Sequence, residues 1–248
     1  MASDLPRWPP LRVSWWVYAL ACTAVVLFPV GLVVRVRCGL GRCNGSMLQH
    51  LFDLDSVGGL PRLFTTGLFA AVAALAWWAA RQCAGDRRTW WTAVSGVGAV
   101  LALAKLVSAH SVAKSSAPVA TLLVSVLLAG VALVTLTVAG RRWNVPATRP
   151  VVIALGVYAA AALGLDAITA AAVAAQSHVG ALTAATSTFI EESGEAATAL
   201  LLLVTVRWHL PARSGGVAPA EAVLQNSDTA SNAPEAEIRD DGQSVRQQ

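Results

Sequence analysis

Long apolar runs separated by short polar segments repeat along this chain. A helix that crosses the hydrocarbon layer of a bilayer needs about 20 mostly apolar residues, and each run is long enough to do so, some with tilt. The pattern therefore predicts an all-α fold, a polytopic transmembrane bundle of about six helices within one domain, 13–207. The predicted spans are 13–34, 63–80, 90–107, 119–139, 151–175 and 186–206.

Composition agrees with a bilayer as the solvent. Hydrophobic residues make up 56% of the chain and charged residues 13%, and the mean hydropathy is +0.59, values typical of membrane proteins. The segment 1–12 is predicted to be a short N-terminal segment, and 208–248 a disordered tail, because it is polar and has no apolar period. The lipid bilayer is the expected partner; no nucleotide or nucleic-acid partner is predicted, and a homo-oligomer is left open.

Basic and aromatic residues predict the orientation of the bundle. Arginines concentrate in the segments that would share one side with the N-terminus, and all nine tryptophans lie near that same side. Cytoplasmic loops are enriched in basic residues and membrane interfaces in tryptophan. Both termini are therefore predicted to be cytoplasmic. Since nearly all the basic residues are arginines, as in high-GC bacteria, the predicted location is a bacterial plasma membrane.

Ionisable residues inside the apolar runs form a polar layer in the outer half of this topology. The third run ends near a lysine and a histidine, the fifth carries an aspartate, and the sixth opens with three glutamates that lie three and four residues apart and so share one broad helix face. Such groups are costly in a membrane and usually face a bundle interior or a wet cavity. The predicted cluster is Lys105, His110, Asp166, Glu191, Glu192 and Glu195.

Three interpretations of this layer stay open. The carboxylates could lie in the headgroup region, stabilised by the helix dipole, by Lys105 and by loop arginines. They could also move protons or cations. Alternatively, they could form a catalytic or metal site. For a divalent metal the candidate ligands are His50, His110, Asp166 and Glu195, but neither HExxH nor CxxC occurs, and each histidine could equally be a surface residue.

The outer loop 35–62 carries two further features. Cys38 and Cys43 enclose four residues, so outside the cell they could form a disulfide; free thiols or a metal pair are the alternatives. The stretch Met47 to Leu54 alternates well enough to predict a short interfacial helix, which either covers the polar layer or is a plain tether.

Small residues predict the place of the fifth span. Gly156, Ala160 and Gly164 recur every four residues along one face. In lipid, small residues let helix backbones approach closely. This span is therefore expected in the centre of the bundle.

Three stretches resemble an uncharacterised family of bacterial multi-helix membrane proteins. They are FDLDSVGGLPRLFTT at Phe52 to Thr66, FIEESGEAA at Phe189 to Ala197, and the acidic position at Gly164 to Asp166. The family also has a DE...HE element late in its third helix, where this chain has Ala104, Lys105 and Ser111 in place of the acids. The resemblance implies the fold and topology and no activity.

The functional hypothesis is an integral membrane protein with an outward-opening acidic site that transports a proton, a cation or a small solute. Asp166, Glu191 and Glu195 would change protonation or coordinate the cargo. One alternative is a metal-dependent enzyme that acts on a lipid or lipid-linked substrate; another is a non-catalytic assembly or regulatory subunit. The sequence leaves open whether the chain is an enzyme.

Overall fold

The computed structural model describes residues 14–42, 47–54, 56, 58–107, 118–175 and 180–211, and leaves out the side chains of 48, 118, 166, 168–175, 181 and 184. Across these residues the regular structure is entirely helical, which confirms the all-α prediction. The helices are α1 (Trp15–Gly39), α2 (Met47–Phe52), α3 (Leu60–Gln82), α4 (Gly85–Leu106), α5 (Pro118–Arg142), α6 (Thr148–Ala175) and α7 (Ala181–Trp208).

Five of the described helices are long and apolar enough to cross a membrane. They are Trp15–Gly39, Leu60–Gln82, Gly85–Leu106, Val119–Arg142 and Thr148–Leu165. The sixth predicted span corresponds to α7, which is 28 residues long but carries three glutamates. It packs along α6, α1 and α3 as part of the same bundle. The structure is therefore that of a multi-pass helical membrane protein.

Two tight corners set the order of the helices. Gly85, with φ +55°, turns α3 into α4, and Asn144, with φ 51°, ends the last turn beyond α5. A Cβ added at Gly140 would stand 2.1 Å from the Thr148 hydroxyl oxygen, so only glycine lets α6 start directly against the end of α5. The Thr148 hydroxyl donates to the Val145 carbonyl at 2.8 Å. Both corners force their two helices to run antiparallel.

The main core lies between α3, α4, α6 and α7. On α3, Phe69 is fully buried and packs edge-on against Tyr158 of α6, with ring centroids 4.8 Å apart. The Ser95 hydroxyl of α4 donates to the Ala73 carbonyl of α3 at 2.9 Å. By contrast α5 is peripheral, because only 6% of its apolar window is buried. This order places α3, α4 and α7 around one interior face.

The fifth span, α6, takes part in the main core, but its small residues do not provide that packing. A Cβ at Gly156 or Gly164 would meet no atom within 4 Å, and Ala160 is exposed. The buried face of α6 instead carries larger side chains, Val151, Leu155 and Tyr158 among them. Shape complementarity of these side chains, rather than close backbone approach, holds α6 in the bundle.

The described tryptophans, from Trp15 onwards, lie towards one end of the bundle, as the alternation of helix direction requires. This tryptophan-rich end is where α3 joins α4 and α5 joins α6. Trp90 and Trp91, however, are 0% and 3% exposed, so they belong to the core and not to an interfacial belt. Trp77 and Trp208 are half-exposed and fit the expected interfacial position.

Candidate functional site

Four charged side chains from three helices meet near the other end of the bundle. Lys105 of α4 contacts both glutamates of α7: its Nζ pairs with Glu195 Oε2 and lies 3.5 Å from Glu192 Oε2. The guanidinium of Arg62 on α3 lies 3.9 Å from Glu192 Oε1. These four residues are called the ion cluster below. Its formal charge is zero, with two cations and two carboxylates.

The ion cluster is buried. The side chains of Arg62, Glu192 and Glu195 are 6–7% exposed and that of Lys105 is 18% exposed. Unpaired charges at such burial would neutralise or destabilise the fold, so each carboxylate needs its cation. Tyr158 of α6 is buried as well, at 8% exposed. Among the described residues, all the buried charged side chains thus belong to this one cluster.

The spacing of residues along α7 explains how one short stretch packs against four neighbouring helices. Glu192 and Glu195 are three residues apart and point to the same side, towards α3 and α4. Gly194 points elsewhere: a Cβ there would stand 2.9 Å from the Leu165 side chain, so glycine lets α6 approach. Ala196, 2% exposed, faces Phe28 of α1. The sequence Glu-Glu-Ser-Gly-Glu-Ala therefore encodes both the charges and the close packing around them.

Arg62 is the cluster member that sequence reasoning placed elsewhere. It was expected in the outer loop, because the second span was predicted to begin at residue 63. In the structure α3 begins at Leu60, with Gly59 as N-cap and a proline in the first turn. Proline is favoured at the first helical position. That signal could have extended the helix to include Arg62.

Lys105 and Arg62 lie at opposite ends of their helix dipoles. Lys105 lies in the last turn of α4, where a positive charge is favourable. Arg62 lies in the first turn of α3, where a positive charge is unfavourable, so Glu192 is the partner that stabilises it. The carboxylates themselves lie about three to four turns into α7, which begins at Ala181 rather than at residue 186. The dipole of α7 acts over about one turn, so it does not reach them.

The depth of the cluster follows from helix lengths. Arg62 and Lys105 each lie 20 residues from the helix end at the tryptophan-rich end, or about 30 Å at 1.5 Å per residue. A hydrocarbon layer is also about 30 Å thick. The cluster therefore lies near the far boundary of the apolar layer, and the first turns of α7 continue beyond it.

A short segment after α2 packs beside the cluster. Leu54, 0% exposed, forms a small buried apolar cluster with Phe28 and Ala196. A Cβ at Gly31 of α1 would stand 2.8 Å from both the Leu54 side chain and the Phe52 carbonyl, so this glycine admits the segment. An ion pair between Arg35 and Asp53, at 3.3 Å, fixes its other side. Leu54 thus covers the flank of α7 next to Glu195.

The other predicted site residues are placed as follows. Glu191 is half-buried, and His50 is exposed on α2. His110 and the side chain of Asp166 lie outside the described residues, although Asp166 follows Leu165, which lies against Gly194. Cys38 is disulfide-bonded and accepts a hydrogen bond from Gln49 at 3.5 Å. Its predicted partner, Cys43, lies outside the described residues.

The predicted metal set is not assembled in the described part of the chain. There, no group of three His, Cys, Asp or Glu side chains could hold a metal ion. Glu195 is the predicted metal ligand that belongs to the ion cluster, and its carboxylate is paired with Lys105. A divalent metal as cofactor stays a prediction that rests on His110 and Asp166.

We expect Leu54→Ala to admit solvent to the flank of the cluster. Truncating the side chain removes the contact that seals Ala196 and leaves a cavity. In a chain with Cys22→Ser and Cys83→Ser, an Ala196→Cys probe should react with a charged, membrane-impermeant thiol reagent at least tenfold faster when Leu54→Ala is present. The rate of labelling, followed by mass spectrometry, measures this access.

Two controls separate local opening from unfolding. Leu63→Ala removes a side chain that is 42% exposed and should leave labelling at position 196 unchanged. An Ala79→Cys probe, at a site 0% exposed near the tryptophan-rich end, should stay slow beside Leu54→Ala. Equal acceleration at positions 79 and 196 would show global destabilisation and contradict a local cover.

Comparison of the chain with protein-family models, with curated proteins and with solved structures found no match. The resemblance to an uncharacterised bacterial membrane family stays a prediction. The function must therefore be argued from the ion cluster.

Proposed function

We propose that this chain is a plasma-membrane protein that moves protons, or a small cation exchanged for protons, through the ion cluster. The observation that supports this proposal is one lysine shared by two buried carboxylates, with Lys105 between Glu192 and Glu195. Ionisable groups within the apolar layer are rare and commonly mark ion pathways or proton relays.

A shared lysine gives the site two arrangements: the cluster is neutral when both glutamates are ionised, and it carries one positive charge when Glu195 holds a proton or a monovalent cation. When Glu195 takes up a proton or a cation, Lys105 is released from it and can pair fully with Glu192. When Glu195 gives up its cargo, Lys105 returns. Glu192 keeps a cation beside it in both arrangements, because Arg62 contacts the other oxygen of that carboxylate. Glu195 is therefore the proposed exchanging group, and Arg62, Glu192 and Lys105 set its affinity.

Proton flux into proteoliposomes tests this proposal. Purified full-length chain is reconstituted with a pH-sensitive dye inside, and a potassium gradient with valinomycin imposes a membrane potential. We expect acidification of the lumen with the parent chain and a loss of at least tenfold with Glu195→Gln. Repeating the assay with Na⁺ and with K⁺ gradients identifies an exchanged cation.

Asp86→Asn is the matched control, because it also neutralises one carboxylate, but at an exposed position in the first turn of α4, far from the cluster. It should retain the parent's flux. Equal flux with Glu195→Gln, or no flux with the parent under any gradient, would contradict the proposal. Size-exclusion chromatography verifies that both variants remain folded.

A second function, a non-catalytic assembly or regulatory subunit, is favoured by the closed pairing of the cluster. Two cations and two carboxylates whose charges balance can serve purely to fix α3, α4 and α7 in register. This function predicts no flux in the parent, normal assembly with Glu195→Gln, and a membrane protein that co-purifies with the chain from its native membrane.

A further inference from the structure

A cavity of about 600 Å³ opens at the tryptophan-rich end, away from the ion cluster. It lies at the corner between α5 and α6. Its polar part is formed by Arg141, Asn144 and Arg149, and its apolar part by Val152 and Ile153. Ile153 is 55% exposed, so the apolar part continues onto the outer surface of α6. The cavity is thus basic at its mouth and apolar along its side.

The two arginines make the mouth of this cavity positively charged. Both are exposed, and no ion pair to a carboxylate is found for either in the described part of the chain. Guanidinium groups bind phosphate oxygens through paired N–H donors. Asn144 adds an amide beside them. The mouth of the cavity therefore suits a phosphate monoanion better than a neutral or cationic group.

The frame of the cavity is fixed by the tight corner. The Val145 amide donates to the Gly140 carbonyl at 2.9 Å, and Asn144 is held in the left-handed conformation. The Thr148 side chain fills the space beside Gly140. These contacts set the backbone positions of Arg141 and Arg149 before any ligand binds, which reduces the entropy lost on binding.

We propose that this corner is a binding site for an anionic glycerophospholipid. The phosphate would lie between Arg141 and Arg149, and an acyl chain would follow Val152 and Ile153 along α6. Basic pockets between transmembrane helices on the cytoplasmic side bind anionic headgroups in this manner. An acyl chain uses the apolar side of the cavity, which a soluble phosphate would leave empty.

Binding of fluorescent-tailed phosphatidylglycerol to the purified full-length chain in neutral detergent tests the proposal. We expect saturable binding that is about thirtyfold weaker in the Arg141→Ala/Arg149→Ala double variant, since each basic residue near a charged headgroup contributes about fivefold in affinity. The control is Arg88→Ala/Arg207→Ala, which removes two exposed arginines at the same end that do not line the cavity. It should bind like the parent.

Three results would overturn the proposal. Equally strong binding of phosphatidylcholine with the same tail would show that the charge of the headgroup is not recognised. Equal weakening in the two double variants would show general surface attraction without a site. Displacement of the lipid by inorganic phosphate at a comparable concentration would reassign the cavity to a soluble phosphate. Circular dichroism of each variant verifies that a loss of binding is not a loss of fold.

Discussion

Replacing Lys105 with methionine is expected to lower the free energy of unfolding by about 3–5 kcal/mol, the usual cost of removing one partner from a buried ion pair. Methionine keeps most of the side-chain volume, so the loss reports charge and not a cavity. Glu192 retains Arg62, but Glu195 loses the partner it has in the cluster. Detergent-induced unfolding in mixed micelles, followed by circular dichroism, measures the change.

A double-mutant cycle tests whether this cost comes from the pair with Glu195. In the Glu195→Gln background, Lys105→Met should cost at least about 1 kcal/mol less than in the parent, because the orphaned carboxylate is already neutral. Arg207→Met, an exposed position, should change stability by no more than about 0.5 kcal/mol. An unchanged cost of Lys105→Met in the Glu195→Gln background would show that the two side chains are not coupled.

The bundle could be predicted from the sequence because its signals are local. Length and hydropathy of each run are properties of a continuous segment, and the bilayer imposes a helix on such a segment. The same is true of the glutamates on α7, whose spacing alone places Glu192 and Glu195 on one side. Lys105 could be singled out as well, because a lysine in an apolar run is exceptional.

Pairing between helices could not be predicted in the same way. Arg62 was expected in a loop, because the predicted second span begins at residue 63, only three residues after the observed start of α3. No local signal in the sequence shows that Glu192 lies opposite Arg62. The consequence is chemical: the predicted cluster has one basic side chain beside its glutamates, Lys105, whereas the described part of the structure has two, Lys105 and Arg62. The number of positive charges around a carboxylate depends on tertiary packing, which a single sequence does not reveal.

The local sequence pattern also did not predict which face of a helix is buried. The small residues of α6 predicted close packing at Gly156 and Gly164, but close approach occurs at Gly194 of α7 and Gly140 of α5. A glycine permits close approach without requiring it. In an apolar helix all faces are similar in polarity, so the choice rests on the shapes of neighbouring side chains such as Tyr158.

Trp90 shows how strongly such packing can depend on one side chain. It was expected at the membrane interface, but it is fully buried, and its indole Nε1 donates to the Leu136 carbonyl of α5 at 3.0 Å. Its ring also packs edge-on against Trp91, with centroids 5.0 Å apart. Since few other contacts join α4 to the peripheral α5, this one residue both fills the core and fixes a neighbouring helix.

We therefore expect Trp90→Ala to lower the free energy of unfolding by about 3 kcal/mol. This value is near the lower end for truncation of a large core side chain, because the unfolded helices remain in apolar detergent and only packing is lost. Trp90→Phe should cost about 1 kcal/mol for the lost hydrogen bond. Trp77→Ala, at a position 51% exposed, should cost less than either, as measured by circular dichroism. Equal losses for Trp77→Ala and Trp90→Ala would contradict a core role, since a shared interfacial role would then explain both.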